Sequence, residues 1–390
     1  MADVEPSGDS PPGNGPPVEA FDGVFAVERT QTDDGRLLYY GDPLASAEAI
    51  EREVWPVFRK AGYEVRLTTV PEQDPYTEVK IPKHALVAEP RSVGIDGIPW
   101  TNVIFAVLTV LTTLGAGAVW YRDGFSSPVA LLFSDPVALL SGWPFTLSVL
   151  TVLGVHELGH YVMSRYHGVE ASLPYFIPLP SLIGTMGAVI KMRGRMPDRE
   201  ALFDIGVAGP LAGLAATMAV TVVGLTLQPV APPSLGLSGF DLNYPPLVWI
   251  LATLVGQSLT IGGSETFTNP VVFAGWVGMF VTFLNLLPVG QLDGGHLLRA
   301  MVGQRQETIA AAVPVLLFGL AAYLYYAAES SFNAVFLWAF WGLFAMGIAY
   351  AGPATPIDDG ALDTKRTLIG IGTFVLGVLC FTPVPIELIT

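Results

Sequence analysis

The sequence predicts a polytopic α-helical membrane protein of about seven transmembrane helices plus re-entrant pieces, preceded by a small soluble α+β domain. Three observations carry this. Hydrophobic residues make up 51% of the 390-residue chain and the mean hydropathy is +0.52, values that soluble domains rarely reach. Many windows hold the ~20 apolar residues that a ~30 Å hydrocarbon core demands of a helix. Trp120, Tyr121, Trp143 and Trp249 fall near the ends of such windows, where amphipathic rings favour the membrane interface.

Residues 1–20 are rich in Pro, Gly, Ser and acid, and are expected to form a disordered tail. They carry no apolar core of a signal peptide and no Arg-rich transit pattern. Residues 21–97 are expected to fold as the soluble domain. FAVERT and RLLYYG have strand character, and so do EVRLTTV and HALVAEP. Between them, PLASAEAIEREVWPVFRKAGY has helical period, with Ile50, Val54, Trp55 and Phe58 on one face.

Residues 98–386 are expected to be membrane-embedded. Candidate spans are 100–121, 143–166, 202–227, 270–301, 308–327, 332–350 and 367–383, with two less certain pieces at 128–141 and 246–262. The linker from Val169 to Arg195 is apolar, but Pro174, Pro178, Pro180, Gly184 and Gly187 forbid one long helix there. Strands and turns are expected instead, held against protein or a wet cavity.

A net charge of −15 with only five lysines argues against a nucleic-acid partner. Acid in excess, with Arg preferred over Lys, points to a salt-loving host. Cys380 is the single cysteine, so an intrachain disulfide and a cysteine-based zinc site are excluded. Arg165, Lys191, Arg193, Arg195 and Arg199 cluster between the second and third spans, Arg299 and Arg305 follow the fourth, and Lys365 and Arg366 precede the last. The positive-inside rule places these, and the N-terminal domain, on the cytoplasmic side of a multi-pass protein of the cell membrane. The loop 228–245 then lies outside, and 246–262 is expected to be an incomplete crossing.

One span holds TVLGVHELGHYVMSRY. His156 and His160 stand at i and i+4, so they share a helix face. HExxH on a helix is a zinc signature: two imidazoles hold the metal and Glu157 acts as the base. The bland reading is a pair of polar core histidines with a paired Glu. Ionisable groups inside a span each cost about 2.5–3.5 kcal/mol on insertion scales, and a divalent metal is the compensation the pattern offers. One zinc per chain is therefore expected. Catalytic zinc takes three protein ligands. His167, Glu170, Asp198 and Glu200 lie at span ends, and Asp198 suits a helix N-cap. Asp293, late in the apolar span 270–301, is the remaining candidate; a turn aspartate before Gly294 and Gly295 is its alternative. His296 is a candidate outer partner of the site, and Gly209, Pro210 and Gly213 a close-packing or kinked stretch.

GVHELGH (154–160), DIGVAGPLAG (204–213) and NLLPVGQLDGG (285–295), in this order, resemble the site-2 protease family of intramembrane metalloproteases. The stretch AGWVGMFVTFLNLLPVGQLDGG is similar to the archaeal, cyanobacterial and plant-plastid branch. The resemblance covers about residues 100–383. It implies His156, His160 and Asp293 as zinc ligands, Glu157 as base, Asn285 near the scissile carbonyl, and a transmembrane protein as substrate within the lipid bilayer. It also implies a substrate-binding strand, here Gly184, Thr185, Met186, Gly187 and Ala188, where glycines at a plain turn are the alternative. A zinc-binding membrane protein without proteolysis, either a metal carrier or a degenerate regulator, is the competing function. A carrier would spread its ligands along a path, whereas this chain concentrates them. A scaffold role for residues 21–97 stays open beside either.

Overall fold

A computed structural model describes residues 14–73, 80–91, 97–121, 131, 134–192, 195–230, 240–259 and 268–388. The chain divides into two compact units, Met1–Ile95 and Asp96–Thr390.

In the first unit, β1 (Phe25–Asp33), β2 (Arg36–Pro43), β3 (Tyr63–Gln73) and β4 (Lys80–Pro90) make an antiparallel sheet of order β1-β2-β4-β3. The β1–β2 turn is Asp34-Gly35, with φ of 46° and 79°. Both residues take the left-handed conformation that a two-residue hairpin turn demands. Helix α1 (Ala47–Lys60) starts at Ser46, whose hydroxyl accepts from the Ala49 amide, and ends on Arg59 and Lys60, complementing the dipole. It buries Ile50, Val54, Trp55 and Phe58, the face its period predicts. Phe58 meets the rings of Phe21 and Tyr39. Residues 1–13 of the expected tail lie outside the described residues. Its remainder differs from the expectation: Val18–Ala20 form a 3₁₀ turn with Val18 buried, and the Tyr39 hydroxyl donates to the Pro16 carbonyl. One apolar side chain and one buried acceptor anchor that short stretch.

The second unit is a helical membrane protein. Five helices among the described residues are long and apolar enough to cross a bilayer: Trp100–Tyr121, Pro136–Tyr166, Arg199–Thr226, Arg305–Tyr326 and Phe332–Ala351. We label α2 (Trp100–Tyr121), α3 (Trp143–Tyr166, entered through a 3₁₀ turn over Pro136–Gly142), α4 (Arg199–Thr226), α5 (Pro246–Leu254), α6 (Pro270–Asn285), α7 (Asp293–Val302), α8 (Arg305–Tyr326), α9 (Phe332–Ala351) and α10 (Thr364–Leu379). Helices α2, α3, α4 and α6 share a core that includes Trp120, Phe145, Val149, Leu214, Phe273 and Trp276. Helices α8 and α9 pack around Leu317 and Trp338.

Two expected spans are corrected. The span 270–301 is not one helix: α6 ends at Asn285 and α7 begins at Asp293. Pro288 cannot donate to a helical ladder, and Gly290 has φ of 50°. The expected 367–383 span is the 16-residue α10, which ends before Pro383 and Pro385. Sixteen residues rise about 24 Å, short of a ~30 Å core. In 246–262 only the nine residues of α5 are helical among those described. Of 128–141, the described part leads through the 3₁₀ turn into α3.

The irregular linker forms β5 (Tyr175–Pro178) paired antiparallel with β6 (Thr185–Val189). This hairpin is clasped to α2 at two places. Asn102 donates to the carbonyls of Leu173 and Pro174, and the Thr112 hydroxyl donates to the Gly184 carbonyl. Downstream, β7 (Met196–Asp198) pairs in parallel with β9 (Pro356–Asp358), and β8 (Phe240–Leu242) pairs with β10 (Ile386–Leu388).

Candidate metal centre

Helix α3 buries the three polar residues of its HExxH segment: His156 and Glu157 are each 6% exposed and His160 4%. The third group reaches them from a different helix. Asp293 is the first residue of α7, and its carboxylate spans both imidazoles. Its Oδ2 lies 3.2 Å from His156 Nε2, and its Oδ1 lies 3.2 Å from His160 Nε2. The two Nε2 atoms are 3.3 Å apart.

These separations fit zinc. Protein ligands sit about 2.0–2.2 Å from it in a tetrahedral site, so neighbouring ligand atoms stand roughly 3.3–3.6 Å apart. The protonation also fits. His160 Nδ1 lies 2.7 Å from the Ile205 carbonyl oxygen. A carbonyl only accepts, so Nδ1 carries the proton and Nε2 keeps its lone pair for the centre. Glu157 belongs to neither edge of the triad and stands buried beside it, on the wall of the same cavity.

Two glycines of α4 make the room. A Cβ on Gly209 would stand 2.0 Å from His160 Nε2, and one on Gly213 would stand 2.7 Å from His156 Nδ1. The GxxxG spacing of α4 matches the i, i+4 spacing of the histidines. The close-packing reading of this stretch is therefore right in kind, but what packs into it is imidazole. On the other side, the Gly pair after Asp293 lets α7 start against the turn before it. A Cβ on Gly294 would meet the Leu286 carbonyl oxygen at 2.2 Å, and one on Gly295 would meet that of Gly290 at 2.2 Å. So Asp293 does precede a tight glycine pair, and that tightness is what aims its carboxylate.

The triad opens into a cavity of about 730 Å³. Its wall includes Ala188, Ile190, Lys191, Arg195, Asn285 and His296, and Pro353–Thr355 close it from the α9–α10 connection. Of the residues expected to bind substrate, Asn285 and Ala188 are on this wall. Gly184 instead packs on α2, where a Cβ would stand 2.5 Å from Thr113 Cα. Thr185 turns its hydroxyl to the Ile177 carbonyl, Met186 is exposed, and Gly187 has φ of 112° at the irregularity in the β5–β6 register. His296 accepts from the Ala354 amide at 3.4 Å through Nδ1, so it ties the α9–α10 segment to α7.

Two ion-pair groups hold the elements around the site. Asp204 on α4 binds His167 at 2.9 Å and Arg366 of α10 at 2.8 Å. Asp359 binds Arg199 at 2.6 Å and Arg299 at 3.3 Å. The sequence reading missed Asp204, Gly209, Gly213 and 353–355 as parts of the site. A carboxylate inside an apolar stretch was a usable signal for Asp204, and the matched four-residue spacing was one for the glycines. PATPIDDG has no period to read.

Residues 144–326 match the model of Peptidase family M50. The chain is 28% identical over 382 residues to "Probable zinc metalloprotease EGY2, chloroplastic" of Oryza sativa subsp. indica, covering 94% of this chain and 65% of that protein. It is 29% identical over 380 residues to the Arabidopsis thaliana protein of the same name, covering 94% and 64%. The chain thus spans just under two thirds of the length of these relatives. The solved "Site-2 Protease from Methanocaldococcus jannaschii" aligns with 70% of this chain and 99% of its own, at 18% identity and a TM-score of 0.31.

Proposed function

We propose, from the match of residues 144–326 to Peptidase family M50, that the chain is an intramembrane zinc metalloprotease of the site-2 protease family. Its substrate is a membrane-anchored protein, cleaved within or next to a transmembrane segment. The observation that carries this reading is a complete three-atom ligand set beside a buried carboxylate, Glu157, that is not part of it. A pure binding site has no use for that carboxylate, so the non-proteolytic alternative leaves it unexplained.

His156, His160 and Asp293 would hold one Zn²⁺. Zinc supplies, when bound, a Lewis acid that makes a water nucleophile available near neutral pH. Glu157 takes the proton of the attacking water and returns it to the leaving amide nitrogen. Ile205 keeps His160 in the ligating tautomer through its carbonyl. Asn285, on the cavity wall where α6 ends, orients the scissile carbonyl. A helical carbonyl is occupied by its own ladder, so the substrate must be drawn out. Thr185, Met186, Gly187 and Ala188 hold it extended through main-chain bonds, and Gly184 anchors that strand to α2. Among the described residues β6 pairs with β5 alone, which supports an edge open to a third strand.

In this reading residues 21–97 are a soluble α+β domain, to which Pro16 and Val18 are anchored, and 98–386 are the protease. The domain faces the cytoplasm of a cell whose acidic proteins suit high salt. The ion pairs support one shared side, since they gather the ends of α3, α4, α7 and α10. The Tyr121–Asn269 and Asn269–Gln228 bonds gather the opposite ends of α2, α6 and α4.

The test is Glu157→Gln in protein reconstituted with a single-span substrate. The variant should keep one zinc and cleave at least about a hundredfold more slowly. Cleavage at the wild-type rate would refute the mechanism.

A further inference from the structure

From Pro270 to Met301 every residue but one is buried or half-buried. The exception is Gln291, in the turn between α6 and α7. Its exposed surface borders the metal-site cavity, whose wall Gln291 shares with Asn285 and the triad. Among the described residues its carboxamide has no hydrogen-bond partner. A bare polar side chain within an apolar stretch of a membrane protein calls for a use.

The backbone on both sides of Gln291 is fixed. Gly290 has φ of 50° and packs so closely on Ile348 that a Cβ would stand 2.2 Å from the carbonyl oxygen there. The Leu292 amide donates to the Val289 carbonyl at 3.2 Å, and the Leu292 carbonyl accepts from the amides of Gly295 and His296. Asp293 follows two residues after Gln291, so their Cα atoms are within about 7 Å of one another. Gln291 therefore offers an unpaired carboxamide, on a fixed root, next to the third member of the triad. A fixed root lowers the entropy lost when the side chain takes up a bond.

What this carboxamide would meet follows from the extended form of the chain to be cut. A strand laid along β6 turns half of its main-chain groups towards β6, and the other half face away. In a site shielded from water those groups are costly unless something bonds them. A primary carboxamide carries both donors and an acceptor, the same pairing capacity as a peptide unit. We infer that Gln291 binds the substrate main chain, through a hydrogen bond to a peptide group close to the scissile bond, on the edge that β6 leaves uncovered. This rests on the proteolytic reading and deepens it: the contact is with backbone, so it is independent of the side chains on the segment accepted.

The experiment measures binding after one cleavage reaction has set the register. The probe is a synthetic single-span peptide of Leu and Ala with a central Gly-Gly pair. Its scissile bond is located by mass spectrometry of the products made by wild-type protein. Full-length Glu157→Gln protein in bilayer discs is then titrated with this peptide and with versions that each carry one backbone ester in place of an amide near that bond. An ester has no N–H and a weaker acceptor. Adding Gln291→Met, which keeps the length and removes donor and acceptor, should weaken binding of the all-amide peptide about two- to twelvefold, the range for one net hydrogen bond. At one ester position the parent should lose a similar factor, and the Gln291→Met protein nothing further. Esters at amides that face β6 should cost both proteins equally. Gln291→Leu should repeat the pattern, and zinc content should match the parent in both variants. Undiminished affinity in the variants, or ester costs equal to the parent's at every position, would overturn the inference and leave Gln291 a solvated turn residue. Loss of zinc in both variants would overturn it too, making Gln291 a structural part of the turn. Failure of the protease reading shows separately and first, as wild-type protein that binds the peptide and leaves it whole.

Discussion

Replacing Gly209 by alanine should empty the metal site without unfolding the helix that carries it. The added Cβ would stand 2.0 Å from His160 Nε2 and 2.4 Å from its Cδ2. Ordinary contact begins at 3.4 Å, so the imidazole must move by more than an ångström. It is poorly able to do so in place, because its other nitrogen is bonded to the Ile205 carbonyl. A metal site tolerates about 0.2 Å of error in a ligand distance. Helix α4 itself should not suffer, since alanine is favoured over glycine in a helix interior by about 1 kcal/mol. The two effects are thus separable. Zinc content of the purified variant should fall from one per chain to near zero under a chelator wash that leaves wild type loaded, while its far-UV circular dichroism stays the same. Gly154→Ala, on α3 with only Phe176 Cζ at 3.8 Å in its way, should keep its zinc. If Gly209→Ala retains zinc as firmly as wild type, the imidazole-shaped slot between α3 and α4 does not position the ligand, and the argument fails.

Further outcomes follow from the same contacts. His160→Ala should lose zinc, and Asp293→Asn should weaken zinc retention and cleavage together, because a neutral amide is the poorer ligand; metal analysis beside an activity assay separates this from the Glu157→Gln pattern. The Arg199 guanidinium bonded to Asp359, with Arg299 beside it, holds the Asp359 carboxyl below its ordinary value. A carboxyl depressed in the folded state stabilises the fold above its unfolded pKa of about 3.9 and loses that contribution as pH falls through its lower folded value. Amide exchange in Thr355–Asp358 should therefore be constant from pH 5 to 8, after correction for intrinsic rates, and accelerate only below about pH 4; in Asp359→Asn it should be fast throughout. Single cysteines in a Cys380→Ser background should be labelled from the cytoplasmic face at Asp22 and from the opposite face at Glu329; the reverse result would invert the topology. Gly35→Ala should destabilise the first unit by about 1 kcal/mol, read as a shift of its thermal midpoint.

What could be read beforehand follows from how local each signal is. The pair His156 and His160 was legible because helical period alone brings i and i+4 together. Helix α1 was legible for the same reason, through Ile50, Val54 and Phe58. Asp293 was legible only by elimination, and the break that delivers it was not, since 270–301 is apolar throughout apart from its end. The turn at 286–292 depends on Gly290 and on close approach to the Ile348 carbonyl, 2.2 Å from where a Cβ would be, a contact some 60 positions away in the chain. The same holds for the slot made by Gly209 and Gly213: small residues announce a close neighbour but not its identity. The 353–359 segment was invisible because its order comes from Arg199, Arg299 and His296, none of which lies near it in sequence.

The distance between the two halves of the metal centre bears on how the molecule comes into being. His156 and Asp293 are 137 positions apart. A ribosome adding about 5–20 residues per second needs roughly 7–27 s to travel from one to the other. Throughout that interval the two imidazoles and the glutamate of α3 have been made, and the carboxylate that completes the set does not yet exist. On the proposed protease reading, a nascent chain that lacks Asp293 lacks the third metal ligand, so its competence begins no earlier than the arrival of α7. Any truncation upstream of Asp293 should give a product that inserts but is harmless, so the order of synthesis itself acts as a safety interval.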